Sequence, residues 1–320
     1  MFALLPMGFR TLSKLRQMSY GRTHQTRHQI RHPSLYNYPY NHSYKSNHTV
    51  TKQGKAVLQN PAYGYRVTGW QVEKQGNLPQ ECEDVWLHEQ GVIALADGAT
   101  ETSFAQEWAQ HLVTSLASDP WGGGMVIPEK MPDWQRYWHH WLEGQDLSWF
   151  ARRKAQQGTA ATILALRFDH TGAWQALAVG DSCLFGVRRD PSTNADYCFL
   201  QLPKLNEPEF TTRPPLVHSH YPLSPMQLQY ARGYAQGGDR FYLMSDALAL
   251  WWVQQMALGQ KPWQTFDQMN DGTEFRNWVE EQRQPPVILP GHQQLPPPPH
   301  LHNDDTTLIQ IQMLGQDVFG

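Results

Sequence analysis

Four aspartates stand at the ends of predicted β-strands, where their carboxylates can act together. Asp84 begins one strand, Asp97 ends the next, Asp246 ends a later strand and Asp304 precedes the last one. Carboxylates brought into one cleft repel each other, and a hard divalent cation is the usual neutralising partner. An oxygen-only set without His or Cys favours Mg²⁺ or Mn²⁺ over zinc. Each aspartate taken singly is also typical of a strand-end turn, but the joint pattern favours a metal site.

Glycine at position 98 fits the same interpretation. Gly98 directly follows Asp97, and a residue without a side chain lets the backbone turn and present its carbonyl oxygen to an ion. The sequence therefore predicts one backbone ligand beside the carboxylates.

The elements that must position these residues alternate between groups of strands and helical stretches. Residues 92–96 form an apolar run after a turn at 88–91, which predicts a hairpin whose second strand is buried on both faces. The helical spacing of apolar residues between Ala105 and Leu116 predicts an amphipathic helix. Strands in groups, rather than strict βαβ alternation, indicate an α+β fold with a mostly antiparallel sheet core.

Six short motifs occur in one order along the chain, each beside the expected strand or helix. Together they resemble the motifs of the metal-dependent type 2C protein phosphatases, the PPM family, over residues 63–314. The motifs are Glu83-Asp84, Ala96-Asp97-Gly98-Ala99-Thr100-Glu101, Gly158-Thr159-Ala160-Ala161, Val179-Gly180-Asp181-Ser182, Leu243-Met244-Ser245-Asp246 and Asp304-Asp305-Thr306-Thr307.

The resemblance implies a four-layer αββα sandwich with two central antiparallel sheets and a centre of two Mn²⁺ or Mg²⁺ ions at one end. It implies that Asp97 bridges the two metals and that the Gly98 carbonyl binds one of them. Asp246 and Asp304 would hold the first metal. Metal-dependent hydrolysis of phosphoserine and phosphothreonine in proteins, by a hydroxide that bridges the metals, is the implied reaction.

The same resemblance assigns supporting roles to three more acidic residues. Glu83 and Asp84 would order water or ligate at the edge of the second metal, with Asp84 also counted among the catalytic residues. Asp181 matches a family position that helps to bind a third, weaker metal. Glu83 and Asp181 are therefore the residues predicted to support the metal ligands or to bind a third metal.

The chain departs from the family pattern at three places. Leu250 stands where a further aspartate usually follows the Ser-Asp motif, and Cys183 stands where an arginine often follows Gly-Asp-Ser. The arginine that grips substrate phosphate has no clean match, and Arg66 and Lys74 are the candidates. These departures keep a second interpretation open, a catalytically weak or inactive pseudophosphatase or scaffold of the same fold.

Composition predicts a basic tail and one large domain. Ten Lys and Arg residues precede Glu73, the first acidic residue, whereas the remaining 16 basic residues face 29 acidic ones. We expect residues 1–62 to form a disordered tail and residues 63–320 the phosphatase-like domain. Within that domain we expect a Trp-rich insert at 119–150, a flap at 190–238 and a Pro-rich loop at 284–300.

Partners and compartment are predicted only in outline. A phosphoprotein substrate is expected, with no stable nucleic-acid binding and no transmembrane segment. The tail is open to two further interpretations, contact with an anionic surface as an RNA or membrane adaptor, and an organelle leader. The three cysteines have no paired spacing, which favours a reducing compartment and a cytoplasmic location.

Overall fold

The computed structural model describes residues 55–58, 64–118, 127–210, 213–284 and 299–315 of the 320-residue chain. In these ranges thirteen strands are observed. They are β1 (Lys55–Leu58), β2 (Tyr65–Val72), β3 (Asp84–Glu89), β4 (Val92–Asp97), β5 (Ala160–Ala161), β6 (Ile163–Phe168), β7 (Ala173–Val179), β8 (Cys183–Arg189), β9 (Asp196–Leu202), β10 (Val217–His218), β11 (Gln229–Tyr234), β12 (Arg240–Met244) and β13 (Thr306–Met313).

Six α-helices accompany the strands in the described ranges. They are α1 (Ala105–Ser118), α2 (Ile127–Glu143), α3 (Trp149–Ala155), α4 (Asp246–Ala257), α5 (Trp263–Phe266) and α6 (Gly272–Gln282). Two of them begin at residues that cap helices well: the Ser148 hydroxyl accepts the Ala151 amide before α3, and the Asp271 carboxylate accepts two amides before α6.

The strands form two large antiparallel sheets and one short pair. The first sheet has six strands in the order β1-β2-β13-β12-β8-β9, and the second has five in the order β11-β7-β6-β4-β3. The pair β10-β5 stands apart from both. Every pairing is antiparallel, as the grouped strands in the sequence predicted.

Side chains that alternate along the strands separate the interior into three apolar layers. Ile93 and Leu95 of β4 pack between the two sheets, against residues such as Phe241 and Ile309 of the six-stranded sheet. Because successive strand residues point to opposite faces, Ala94 faces the other way, toward α1 and α2. The strand is therefore buried on both faces, as predicted.

Helices cover the two outer faces of the sheets. Trp108 of α1 and Trp138 of α2 pack on the five-stranded sheet. Trp252 of α4, Phe266 of α5 and Phe275 of α6 pack on the six-stranded sheet. The result is the four-layer αββα sandwich that the sequence predicted.

The predicted helix after the Asp97 motif is confirmed in detail. Helix α1 begins at Ala105, and its buried face consists of the apolar residues whose spacing predicted it: Ala105, Trp108, Ala109, Leu112, Val113 and Leu116. The tryptophans of the Trp-rich segment differ in burial. Trp134 and Trp138 are buried in α2, whereas Trp149 is 76% exposed.

The structure revises the predicted flap. Residues 190–238 include β9, which closes one edge of the six-stranded sheet, and β11, which closes one edge of the five-stranded sheet. Six of the seven prolines of this range lie between those strands, and Pro191 lies in the turn before β9, so none occupies a position in either strand. The segment is therefore part of the sandwich at both of its ends, and only its middle forms surface loops.

Other predicted ranges lie partly outside the described residues. Strand β1 falls within the range 1–62 given to the tail and pairs with β2, but the rest of that range is outside the described residues. Residues 119–126 of the Trp-rich insert and 285–298 of the Pro-rich loop also lie outside the described residues.

Within the described ranges no helix is both long and apolar enough to cross a bilayer. All three cysteines are free thiols.

Candidate functional site

Asp84 and Asp97 face each other at the end of the five-stranded sheet. The antiparallel register of β3 and β4 pairs these two residues directly. Burial raises the pKa of both carboxyls well above the usual range, and the charge of Asp84 raises the pKa of Asp97 further. Two acids at opposite positions of one ladder are costly to ionise without a counter-charge.

Asp84 is held by hydrogen bonds at one oxygen only. The Thr307 hydroxyl of β13 donates to Asp84 Oδ2 at 2.7 Å, so this bond joins the two sheets. The second oxygen, Oδ1, is buried and has no hydrogen-bond partner among the described residues. A buried carboxylate oxygen without a donor is unfavourable, and a bound cation would satisfy it.

Asp246 and Asp181 approach from the loops that follow β12 and β7. Asp246 is the first residue of α4, where its Oδ1 accepts the Ala247 amide at 2.6 Å. Burial and the neighbouring Asp304 carboxylate raise the Asp246 pKa to about 6. Burial and Asp246 raise the Asp181 pKa to about 7. These shifts show that the acids of both sheets share one electrostatic environment.

The neighbouring acids Asp304 and Asp305 have different surroundings. The Asp304 side chain is 47% exposed and lies 4.0 Å from Lys74 Nζ. Asp305 is buried, and its two oxygens accept the backbone amides of Lys74 at 2.8 Å and Glu83 at 2.7 Å. Sequence reasoning missed this function of Asp305, for which the only signal was its place beside Asp304.

Gly98 and Glu83 lie at the edge of the carboxylate cluster. The Gly98 amide donates to the Glu83 carbonyl at 3.3 Å. A side chain at position 98 would approach Ala105 at the start of α1 to 2.9 Å, so close packing also requires this glycine. Burial raises the pKa of Glu83, whereas a hydrogen bond with Thr100 lowers it.

The two candidates for phosphate binding lie in different places. Lys74 follows β2 at the carboxylate end, beside Asp304. Arg66 pairs with Gln312 near the other end of β2, roughly 17 Å along the strand from Gln71 at 3.3 Å per residue. The structure brings Lys74 to the cluster and leaves Arg66 away from it.

Gln71 is a second residue that sequence reasoning missed. It lies opposite Thr307 in the β2–β13 ladder, and its side-chain amide donates to the Asp84 carbonyl at 2.8 Å. The signal in the sequence was its position two residues before Glu73, at the end of an alternating strand. Gln71 links the backbone of β3 to the neighbouring sheet.

The donor chemistry of this cluster fits a hard divalent cation, although the side chains are not closed around one. Asp84, Asp97, Asp181, Asp246 and Asp304 offer oxygen ligands only, and the charge of each of the other four raises the Asp97 pKa. In the described part of the chain, no three His, Cys, Asp or Glu side chains converge closely enough to hold one ion. Ion binding would therefore require these side chains to turn toward one another.

Comparisons with known proteins find similarity in structure and none in sequence. No family model and no curated protein matches the chain. Three similar solved structures are the catalytic domain of the serine/threonine phosphatase PstP with two manganese ions (16% identity, TM-score 0.48), the photosystem II phosphatase PBCP (15%, 0.49) and RsbX with magnesium (16%, 0.42).

The similarity extends over most of each chain. The PstP and PBCP matches cover 78% of this chain and 98% of the other, and the RsbX match covers 81% and 100%. PstP and PBCP are described as phosphatases.

Proposed function

We propose that this protein hydrolyses phosphoserine and phosphothreonine in proteins with the help of two Mn²⁺ or Mg²⁺ ions. The observation that carries the proposal is the carboxylate cluster, in which Asp84 and Asp97 lie opposite each other and Asp84 Oδ1 is buried without a hydrogen-bond partner among the described residues. Acids held this close together are expected to bind cations when they are ionised at neutral pH. The substrate is then a phosphoprotein.

The residues of the cluster have distinct tasks in this proposal. Asp97, Asp246 and Asp304, with the Gly98 carbonyl, would hold the ions, and Asp84 would complete the set through its unpartnered Oδ1. Thr307 fixes the orientation of Asp84 by its hydrogen bond. When bound, the ions supply positive charge toward the phosphate oxygens and a water of lowered pKa.

Lys74 is the residue proposed to bind the substrate phosphate. It lies beside Asp304 at the end of β2, and its side chain is only 25% exposed. The hydrogen bond from its backbone amide to Asp305 fixes its position. A cation held at the edge of the cluster would orient the phosphate, whose charge the carboxylates alone would repel.

The test is hydrolysis of p-nitrophenyl phosphate and of a phosphothreonine peptide, with Mn²⁺ and with EDTA. The wild type should hydrolyse both only with the metal. Asp97→Asn should remove nearly all activity, because uncatalysed phosphate-monoester hydrolysis is extremely slow. Asp133→Asn, on the exposed side of α2, is the matched control and should keep wild-type rates. Hydrolysis in EDTA, or full activity of Asp97→Asn, would contradict the proposal.

A pseudophosphatase of the same fold is the second candidate. It is favoured by the exposed position of Asp304 and by the absence of a converged ligand group in the described ranges. Titration calorimetry with Mn²⁺ distinguishes the two candidates. Two bound ions per chain support the enzyme, whereas no binding by the folded protein supports the scaffold.

A further inference from the structure

A cavity of about 220 Å³ lies directly beside the carboxylate cluster. The segment Glu73–Asn77, which follows β2, forms one wall. The other wall is formed by Arg276 and Glu280 of α6 and by Arg283 and Gln284, which follow this helix. The proposed function uses only Lys74 of this lining.

Two cations connect the cavity to the cluster. The Arg283 guanidinium donates to the carbonyl oxygens of Glu73 and Asp304 and to the Thr306 hydroxyl. Lys74 Nζ lies 4.0 Å from Asp304 Oδ1. A substrate whose phosphate ester lies at the cluster would therefore place the chemical group next to that ester near Arg283 and Lys74.

The wall formed by the segment after β2 is held in a fixed position. Asp305 accepts the Lys74 and Glu83 amides, and Asn303 Oδ1 accepts the Gln75 amide at 2.7 Å. The start of the segment, at Lys74 and Gln75, is thus attached to the residues that precede β13, as is Glu83 further along the chain. A site attached in this way loses little conformational entropy when it binds a ligand.

Among the described residues, the cavity offers one guanidinium outside an ion pair, that of Arg283, to an anion. The lining contains three cations and two carboxylates. Glu73 is neutralised by Arg276 through two hydrogen bonds of 2.8 and 2.9 Å. Within the described part of the chain, Arg283 forms no ion pair, since its hydrogen bonds go to carbonyl and hydroxyl oxygens. Lys74 lies 4.0 Å from Asp304 and is already assigned to the ester phosphate, so Arg283 is the cation of the lining that is left for a second anion, with the exposed Glu280 beside it.

The hydrogen-bond donors also suit an oxyanion. A guanidinium has five N–H donors in a fixed fork that matches carboxylate and phosphate oxygens. Arg276 uses two of its donors on Glu73, so donors remain on this side chain. Gln284 lies at the exposed end of the cavity, where its side-chain amide donates to the Glu280 carbonyl at 3.4 Å.

We propose that this cavity is a second anion subsite, which binds a carboxylate or phosphate group of the substrate next to the ester that is hydrolysed. The inference rests on the proposed function and specifies its substrate class: phosphoproteins with an acidic or second phosphorylated residue beside the target residue. Asn303 and Asp305 are positioning residues for the subsite.

The test compares two phosphothreonine peptides that differ only by Glu or Gln in the two positions on each side of the phosphothreonine. The wild type with Mn²⁺ should have a kcat/KM about tenfold higher for the Glu peptide, through a lower KM, as expected for one charge-assisted contact. Rates with p-nitrophenyl phosphate serve as the reference, because this small substrate carries no such group.

Charge variants at Gln284 locate the effect. Gln284→Glu should remove most of the preference for the Glu peptide, and Gln284→Lys should increase it, while both keep the wild-type rate with p-nitrophenyl phosphate. The control is Gln175→Glu, an exposed position on β7 of the other sheet, which should keep the wild-type preference. Equal kcat/KM for the two peptides, or a preference that Gln284→Glu leaves intact, would overturn the inference alone.

Two further measurements complete the design. If no substrate is hydrolysed, the proposed function fails. The inference is then decided by the dissociation constants of the two peptides, which fluorescence anisotropy measures.

Inorganic phosphate distinguishes the source of the anion. Loss of the Glu preference at millimolar phosphate, with p-nitrophenyl phosphate turnover retained, would show that free phosphate also occupies the subsite. Retained preference would assign it to the substrate side chain.

Discussion

At the scale of single residues, the acids of the cluster destabilise the metal-free fold. Asp84, which is buried, and Asp97, which is half-buried, are paired across a ladder, and both have a raised pKa. A group whose pKa is raised on folding takes up protons more readily in the folded state, so its charged form opposes folding above that pKa. The proposed cation site therefore lowers the stability of the folded chain when no cation is bound.

Asp97→Asn should therefore stabilise the protein in EDTA at pH 7.5, by about 1–3 kcal/mol, because it removes one of the mutually repelling charges. In Mn²⁺ the order should reverse, since the wild type gains binding energy that the variant loses. Thermal unfolding in both buffers measures the effect, with Asp133→Asn as an exposed control. A lower melting temperature of Asp97→Asn in EDTA would contradict this account.

At the scale of elements, helix α2 attaches to the sandwich through its tryptophans. Trp138 is 1% exposed and lies 5.5 Å from the Trp108 ring and 4.8 Å from the Trp141 ring, centroid to centroid. Trp149, at the start of α3, is 76% exposed. The same residue type thus has opposite surroundings in two consecutive helices.

Trp138→Ala should lower the free energy of unfolding by about 3–5 kcal/mol, because it leaves a large cavity between α1 and α2. Trp149→Ala, its matched control, should change it by less than about 0.5 kcal/mol. Urea unfolding followed by circular dichroism gives both values. Similar losses for the two variants would mean that Trp149 has a packing role that its exposure does not show.

The contact between α1 and α2 also includes a titratable group. His111 of α1 hydrogen-bonds the Trp134 carbonyl at 3.1 Å, and its ring stacks on Tyr137 at 4.2 Å. Burial lowers the His111 pKa to about 4, below the usual value near 6.5. The folded state therefore favours the neutral imidazole, and the unfolded state takes up a proton first as pH falls.

Stability should consequently decrease between about pH 6.5 and pH 4 by about 1–3 kcal/mol relative to a His111→Gln variant, in which position 111 does not titrate. The difference between the two proteins isolates His111, because the remaining groups titrate in both. Urea unfolding from pH 7.5 to pH 4.5 measures it. A constant difference across this range would show that the imidazole titrates alike in the folded and unfolded chains.

At the scale of the whole molecule, the apolar patterns predicted an α+β fold with a mostly antiparallel core, and the family resemblance supplied the four-layer arrangement. The apolar run of β4 and the helical spacing of α1 each reflect burial against a layer, and burial determines such patterns. The predicted flap at 190–238 includes the strands β9 and β11, which the sequence did not predict. Both are edge strands with few buried residues, so their sequences lack a clear apolar alternation.

Motifs at strand ends identify Asp84, Asp97 and Asp246 as candidate site residues, the family resemblance adds Asp181, and their roles stay predictions. The contacts that hold the site were not predictable. The functions of Asp305 and Gln71 depend on hydrogen bonds to backbone groups at Glu83, 222 positions from Asp305, and at Asp84, 13 positions from Gln71. Such bonds follow from sheet register, which no local pattern determines.

The strands give the molecule two unlike ends. The carboxylates lie where β3 and β13 begin and where β4 and β12 end, whereas the turns after β3, β6 and β8 lie at the opposite end. The turn at 190–195 has no part in the proposed chemistry. It is thus a natural place to insert an affinity tag or a fluorophore, or to attach the protein to a solid support with its reactive end outward.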